Sequence, residues 1–128
     1  MLTAAIDEAE PQGRWSRPDV RSSASAALRR AHRADALLDG AVGPLGSRAA
    51  VDALDERSRA LAADAVVEAV HEAERAVPEL IGAFGPAALA PAHPLARAMA
   101  DVLTGARHTA LSGAKAASAY ETALFGSA

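Results

Sequence analysis

Three polar side chains near the C-terminal end are the first candidates for chemistry. His108 carries an imidazole that can act as a general acid or base near neutral pH; Asp101 lies seven residues before it and Ser112 four residues after it. If one helix spans the segment, His108 reaches Ser112, whereas Asp101 lies two turns, or roughly 10 Å, away. Ser112 and His108 would then lack an orienting acid and an oxyanion hole, which disfavours a hydrolase triad. The alternative is that His108 is a polar residue at a helix–helix seam.

A second candidate site is the E-x-x-H pair of Glu68 and His71, which is half of the ligand set of carboxylate-bridged di-iron bundles. Such a site needs a second pair, but His32, His93 and His108 have no glutamate three residues before them. The chain also has no cysteine, which removes disulfides and sulfur-ligated metals. The sequence therefore predicts no metal site.

The composition indicates an all-α domain with few large side chains for its core. Alanine accounts for 36 of the 128 residues, and the chain has one Trp, one Tyr and two Phe. Alanine favours helices but buries little area, so we expect a thin core that buries more surface against a partner. The alternative is that the heavy use of alanine and arginine reflects a coding bias.

The charge and hydropathy patterns disfavour two classes of partner. A net charge of −3 gives no electrostatic reason to bind nucleic acid, and we expect the cluster of Arg29, Arg30 and Arg33 to be a solvated helix face because Asp35 and Asp39 follow it. No apolar run approaches the ~20 residues that span a bilayer, and the N-terminus lacks the features of a signal peptide. We therefore expect a cytoplasmic protein that binds neither nucleic acid nor membranes.

Helical periodicity, prolines and glycines predict an up-and-down bundle of three to four helices. Residues 1–21 are expected to form an extended or loosely docked N-terminal arm, and residues 22–128 the bundle domain. The expected helices run over residues 22–38, 47–84, 94–112 and 114–125. Ser22 or Ser23 is the expected N-cap of the first helix and Ser47 that of the second, which Pro78 should kink or divide.

The order of several residues from 83 to 126 resembles that of a known enzyme family. The shared pattern consists of Gly85 at a helix end, Pro94-Leu95, Arg97, Asp101, His108 and the closing segment 120–126. It is similar to the C-terminal helical domain of the acyl-CoA dehydrogenase superfamily, in its flavin-dependent monooxygenase branch. The resemblance covers roughly residues 22–126.

This resemblance implies a bundle that forms the core of a tetramer in an enzyme that uses FAD or FMN. It also implies that His108 approaches the flavin and assists oxygen chemistry or substrate deprotonation. In the family, the flavin is held by a helical N-terminal domain and a β domain, for which these 128 residues have no room. We therefore expect no cofactor on this chain alone, and FAD or FMN only together with a partner flavoprotein chain.

Three functional interpretations remain open at this point. The first is a stand-alone C-terminal-type domain that forms a homo-oligomer and supports a flavin-dependent oxidation or oxygenation with a partner chain, as an oxidoreductase component. The second is a repurposed small-molecule catalyst or binder, for example a biosynthetic cyclase, with His108 in an interior pocket lined by Leu111, Met99 and Phe84. The third is a purely structural remnant.

Overall fold

Helices form nearly all of the computed structural model, which describes residues 2–8, 17–108 and 111–127. The α-helices in these ranges are α1 (Leu2–Glu8), α2 (Pro18–Val42), α3 (Arg48–Asp52), α4 (Glu56–Phe84), α5 (Pro94–Ala106) and α6 (Gly113–Phe125). A 3₁₀ turn, Pro86–Leu89, precedes α5, and the same ranges contain no β-strand. The predicted all-α class is confirmed, but six helices occur here where three to four were expected.

The two longest helices, α2 and α4, pack side by side and run antiparallel. Gly82 near the end of α4 lies next to Ser23 near the start of α2, and Arg30 of α2 bonds Glu79 and Glu72 of α4. The buried positions of α2 are almost all alanine, at 24, 27, 31 and 34, with Val20 at its start. Such small side chains let two helix axes approach closely, so this hairpin is the frame on which the other helices pack.

A network of ion pairs joins the two long helices along one side of the hairpin. The Arg30 Nε donates to both carboxylate oxygens of Glu79, at 3.0 and 3.1 Å. The Oε2 of Glu72 accepts from Arg33 at 3.1 Å and from Arg30 at 3.4 Å, while its Oε1 accepts from Arg75 at 2.7 Å. Glu72 is thus shared by three guanidinium groups and is only 14 % exposed.

These contacts shift the pKa values of two members of the network. Burial by itself would raise the pKa of Glu72, but the hydrogen bonds from Arg75 and Arg33 outweigh burial and hold that pKa below its usual value. The hydrogen bond to Glu79 raises the pKa of Arg30. Arg29 and Arg33 are exposed, as expected for a solvated helix face, whereas Arg30 is partly buried because Glu79 and Glu72 of α4 lie opposite it.

The hydrophobic core lies at one end of the hairpin, where α2 begins and α4 ends. We call this the proximal end; it comprises residues 18–34 of α2 and 69–84 of α4, and α1 and α5 pack on it. Its largest fully buried side chains are Phe84, Ile6, Leu80, Leu95 and Met99. The Phe84 ring meets the ring of His93 edge-on at 5.9 Å, and the His93 Nδ1 accepts a hydrogen bond from the Leu95 N–H at the start of α5.

Within the predicted N-terminal arm, residues 2–8 form the helix α1. Leu2 and Ile6, four residues apart on α1, are both buried in the core. The Thr3 hydroxyl donates to Asp35 of α2 at 2.7 Å, which ties α1 to the hairpin. The division into an arm over 1–21 and a domain over 22–128 stays a prediction, since residues 9–16 lie outside the described ranges.

The first two predicted helices have wrong boundaries, for identifiable reasons. The first long helix begins at Pro18 and not at a Ser22 or Ser23 cap, because proline has the backbone angle of a first helical turn and Asp19 complements the helix dipole there. The segment 47–84 holds two helices. Ser47 caps α3 as predicted, but the Asp55 side chain accepts from the Ser58 N–H at 2.7 Å and begins α4. The helix then runs through Pro78 without a division.

The opposite end of the hairpin, where α2 ends and α4 begins, has fewer neighbours. We call residues 36–45 and 54–65 the distal end. Here α6 packs mainly on α4, and it runs antiparallel to α4, with Gly113 next to His71 and Thr122 near Glu56. Leu61 of α4 is 38 % exposed because few of the described side chains cover this part of the hairpin.

The Glu72 network predicts an acid-sensitive contribution to stability. Because the folded-state pKa of Glu72 is lowered, its contribution is present above the ordinary value of 4.5 and is lost as the pH falls through the lower, folded-state value. Glu72→Gln should cost about 1 kcal/mol at pH 7 and progressively less below pH 4.5, measured by urea unfolding. Glu68→Gln, one turn away on an exposed site, is the matched control. Equal effects of the two substitutions at pH 7 would contradict the prediction.

Two glycines should respond oppositely to alanine. Gly85 ends α4 with φ 75° and ψ −178°, a conformation that only glycine adopts readily, so Gly85→Ala should destabilise by about 1–3 kcal/mol. Gly105 lies inside α5, and a Cβ there meets no atom within 4 Å, so Gly105→Ala should stabilise by up to about 1 kcal/mol. Chemical denaturation of both variants tests the pair; a stabilising Gly85→Ala would refute the assignment of that helix end.

Candidate functional site

The structure separates the three residues predicted to do chemistry. Helix α5 ends at Ala106, and the N–H groups of Arg107 and His108 bond the carbonyls three residues before them, which tightens the last turn. His108 therefore lies beyond the helix, exposed, and the expectation that it shares a helical face with Asp101 and Ser112 is wrong. Gly105 near the end of α5 and the ion pair of Arg107 with Glu74 (3.3 Å) favour the early helix end.

Ser112 and Asp101 lie on different elements. Ser112 is the half-buried N-cap residue of α6, and Asp101 lies on the outer part of α5, where it pairs with Arg97 at 3.9 Å as the four-residue spacing predicts. Phe84 and Met99, expected beside His108 in an interior pocket, are fully buried in the core. An exposed His108 does not face such a pocket, so the interior-catalyst arrangement is not observed. Catalytic roles for His108, Asp101 and Ser112 stay predictions.

A cleft of about 170 Å³ lies between the hairpin and the helices α1 and α5. Four helices contribute to its walls. The lining residues are Leu2 of α1; Ala31, Ala34, Asp35 and Leu38 of α2; Ala69, Val70 and Ala73 of α4; and Asp101, Val102 and Gly105 of α5. We call this space the four-helix cleft. It exists because alanines and a glycine occupy positions where larger side chains would fill the junction.

Two carboxylates are the charged groups among the residues that line the four-helix cleft. Asp35 is partly buried, and one of its oxygens accepts from the Thr3 hydroxyl at 2.7 Å. Asp101 is more exposed and approaches Arg97 only at 3.9 Å. The remaining lining residues are Ala, Gly, Leu or Val, and none is basic. The cleft thus combines apolar walls with a negative charge.

A second, more open cavity lies at the distal end between the two long helices. This distal groove has a volume of about 360 Å³. It is lined by Ala36, Leu37, Gly40, Ala41, Pro44, Leu45, Leu54, Leu61, Ala62 and Ala65, none of which is charged. Leu38, Val42 and Leu61 are exposed at this end of the hairpin, and Phe125 at the end of α6 is 81 % exposed.

Neither cavity suits a flavin. Cofactor pockets are typically about 300 Å³ or larger and bury most of the ligand, whereas the four-helix cleft is smaller and carries two carboxylates that would repel phosphates. The distal groove offers no cation or polar side chain for a diphosphate. A trough of about 650 Å³ between α4 and α6 includes Arg59 and Lys115, but it is open to solvent. The described residues therefore do not fit FAD or FMN held by this chain alone.

The described residues also do not assemble a metal site. No group of three or more His, Cys, Asp or Glu side chains among them has the arrangement that could hold an ion. Glu68 is exposed, and His71 is half-buried against Gly113 at the start of α6. Of the helices in this part of the chain, none combines the length and apolarity of a membrane-spanning segment.

Two features of the site were missed by the interpretation of the sequence. Asp35 lies four residues after Ala31 and three before Leu38, and an acid among apolar positions of a helix is a signal that it meets a polar partner, which is Thr3. Gly105 belongs to no motif in the sequence, yet its missing side chain helps to form the four-helix cleft. No spacing rule connects Gly105 to Leu2 or Ala69, so only the packing of four helices shows the cleft.

Comparisons with known proteins gave no match. No protein-family model fits the chain, and no curated protein and no solved structure is significantly similar to it. The resemblance to the acyl-CoA dehydrogenase C-terminal domain therefore stays a hypothesis that rests on the residues quoted for it.

Proposed function

We propose that this chain is a helical association module that forms a homo-oligomer and, in that form, supports a flavin-dependent oxidation carried out by a partner chain. The observation that carries the first half is the distal groove, an uncharged trough between two long helices with exposed Leu38, Val42 and Leu61 beside it. The second half rests on the sequence resemblance. A cytoplasmic location stays an expectation from the hydropathy pattern of the sequence.

The distal groove is the kind of surface that a second pair of helices covers. Apolar helix faces are buried in domains by packing against another layer, and at the distal end α2 and α4 form one layer with α6 on the side of α4. A second copy that lays its own hairpin on the groove would complete a four-helix arrangement. The alanines at 36, 41, 62 and 65 would allow close contact between the two layers.

The uncharged lining of the distal groove favours a second copy as the occupant. A two-fold symmetric contact places α2 of one copy against α4 of the other, and the same contact occurs twice. The groove of one copy would then meet the groove of the other, and because neither lining contains a charged residue, no unpaired charge would be buried.

The proposed self-association has a matched pair of test substitutions. Leu61→Asp places a charge in the distal groove and should weaken the oligomer at least about tenfold, because a buried unpaired charge is costly. The control is Leu103→Asp on α5, away from the groove. Leu103 is 40 % exposed and Leu61 is 38 % exposed, so the same substitution is made at a similar exposure. Leu103→Asp should leave the oligomer intact. Light scattering and sedimentation at several protein concentrations measure the effect.

Two outcomes would overturn the association proposal. A wild-type chain that stays monomeric at high micromolar concentration would remove it, and so would equal weakening by Leu61→Asp and Leu103→Asp. Circular dichroism on both variants shows whether the monomer has kept its helices.

The flavin half of the proposal predicts how the isolated chain responds to the cofactor. Since the described residues do not fit FAD or FMN, adding either flavin to the purified chain should leave the flavin fluorescence and anisotropy unchanged. A co-encoded flavoprotein chain, mixed with the same sample, should co-elute with it in size-exclusion chromatography. Stoichiometric FAD on the isolated chain, or a flavoprotein that elutes separately, would contradict this half and leave the test of the oligomer unaffected.

A further inference from the structure

Small residues in the sequence leave the four-helix cleft open. At the junction of α1, α2, α4 and α5, Ala34, Ala73 and Gly105 contribute one methyl group or none. Closing such a space with larger side chains is ordinarily stabilising, because an unfilled cavity forfeits packing contacts. Room for a side chain exists, since a Cβ at Gly105 would meet no atom within 4 Å. Small side chains therefore leave this space open, and a ligand of matching size would restore the missing packing contacts.

The volume of the cleft limits what it can hold. An apolar cavity of about 150 Å³ is large enough for a benzene ring, so the 170 Å³ measured here admits one six-membered ring or a short branched alkyl chain. A nucleotide, a flavin or a long acyl chain exceeds that volume.

The two carboxylates of the four-helix cleft indicate which polar group a ligand would carry. Asp35 and Asp101 come from different helices, α2 and α5, and both line the same space. The Thr3 hydroxyl donates to one carboxylate oxygen of Asp35, and the other oxygen accepts no hydrogen bond from the described residues. A carboxylate beside apolar walls favours a cation with its own N–H donors, and no basic side chain in the lining supplies one.

We propose that the four-helix cleft binds a small primary amine, with the ring or alkyl body against the alanines and the ammonium group between Asp35 and Asp101. The cleft shares no lining residue with the distal groove, so this site does not depend on the association proposed for the groove. The ligand class follows from three properties of the cleft: its size, its apolar walls and its two carboxylates.

Benzylamine and its neutral counterpart benzyl alcohol test the proposal. They have the same ring, but only benzylamine is a cation at neutral pH. In a ¹⁵N-resolved NMR titration of the full chain, benzylamine should shift the amide signals of Ala34, Ala73 and Gly105 and bind at least about fivefold more tightly than the alcohol. No saturable shift at these positions, or equal affinity for both compounds, would overturn the proposal.

Substitutions in and near the cleft separate it from non-specific attraction to an acidic protein. Asp35→Asn removes the charge but keeps an oxygen that can accept from Thr3. Asp101→Asn removes the charge at a more exposed site. Each substitution should reduce the benzylamine affinity to nearly that of the alcohol. Asp39→Asn, on an exposed position one turn from Asp35, should leave it unchanged. Gly105→Leu should block both compounds while the helix content stays the same. Loss of affinity in Asp39→Asn equal to that in Asp35→Asn, or unchanged binding in Gly105→Leu, would refute the assigned site.

Discussion

The close antiparallel contact between α2 and α4 is the constraint on which the rest of this structure depends. It is made by alanines on α2, which stabilise the helix but contribute little buried area each. The hairpin is therefore held by two different interactions. Along its seam small apolar residues pack, and along one side Glu72 and Glu79 pair with arginines of α2. The ion pairs add orientation as well as energy, because the forked guanidinium of Arg30 contacts two carboxylates seven residues, or about two turns, apart on α4.

The same small side chains explain why the two ends of the hairpin differ. At the proximal end, the few large residues of the chain come together: Phe84, Leu80 and Met99 form a core that α1 and α5 complete. At the distal end the hairpin has alanines and leucines, and none of the described elements forms a further layer over the groove. A chain with two Phe, one Tyr and one Trp cannot supply large side chains for both ends. The core is therefore concentrated at one end, and the other is left to a partner in the function proposed for this protein.

Small residues also produce concavity without specialised loops. The four-helix cleft and the distal groove both lie between helices, and both arise where alanine or glycine faces a neighbouring helix. They differ in charge, and that difference assigns them different occupants. The cleft carries two carboxylates, which favour a small cation, whereas the uncharged groove favours an apolar helix surface. The same alanine-rich composition thus gives an acidic cleft and an uncharged groove, because the packing places different polar residues beside each cavity.

Much of the local structure was determined by the sequence itself. Ser47 as an N-cap, Gly85 and Gly126 as helix ends, Pro94 at the start of α5 and the ion pair of Arg97 with Asp101 all depend on residues within one turn of each other. The all-α class followed in the same way from alanine content and periodicity. Local rules were not sufficient at two helix starts. Pro18 begins α2 before the serines chosen as its cap, and Asp55 begins α4 as a further helix after the one that starts at the predicted serine cap.

The arrangement of side chains into sites was decided by the tertiary structure. His108 left the helical face assigned to it because α5 ends early, while Arg107 pairs with Glu74 of α4, 33 positions away. Arg30 and Arg33 became partners of Glu72 only when α4 folded back along α2. The four-helix cleft joins Leu2 to Gly105, and no periodicity within a helix relates residues so distant. Helix ends and caps are short-range effects that a sequence carries in full, whereas cavities and ion pairs between helices depend on how whole helices cross.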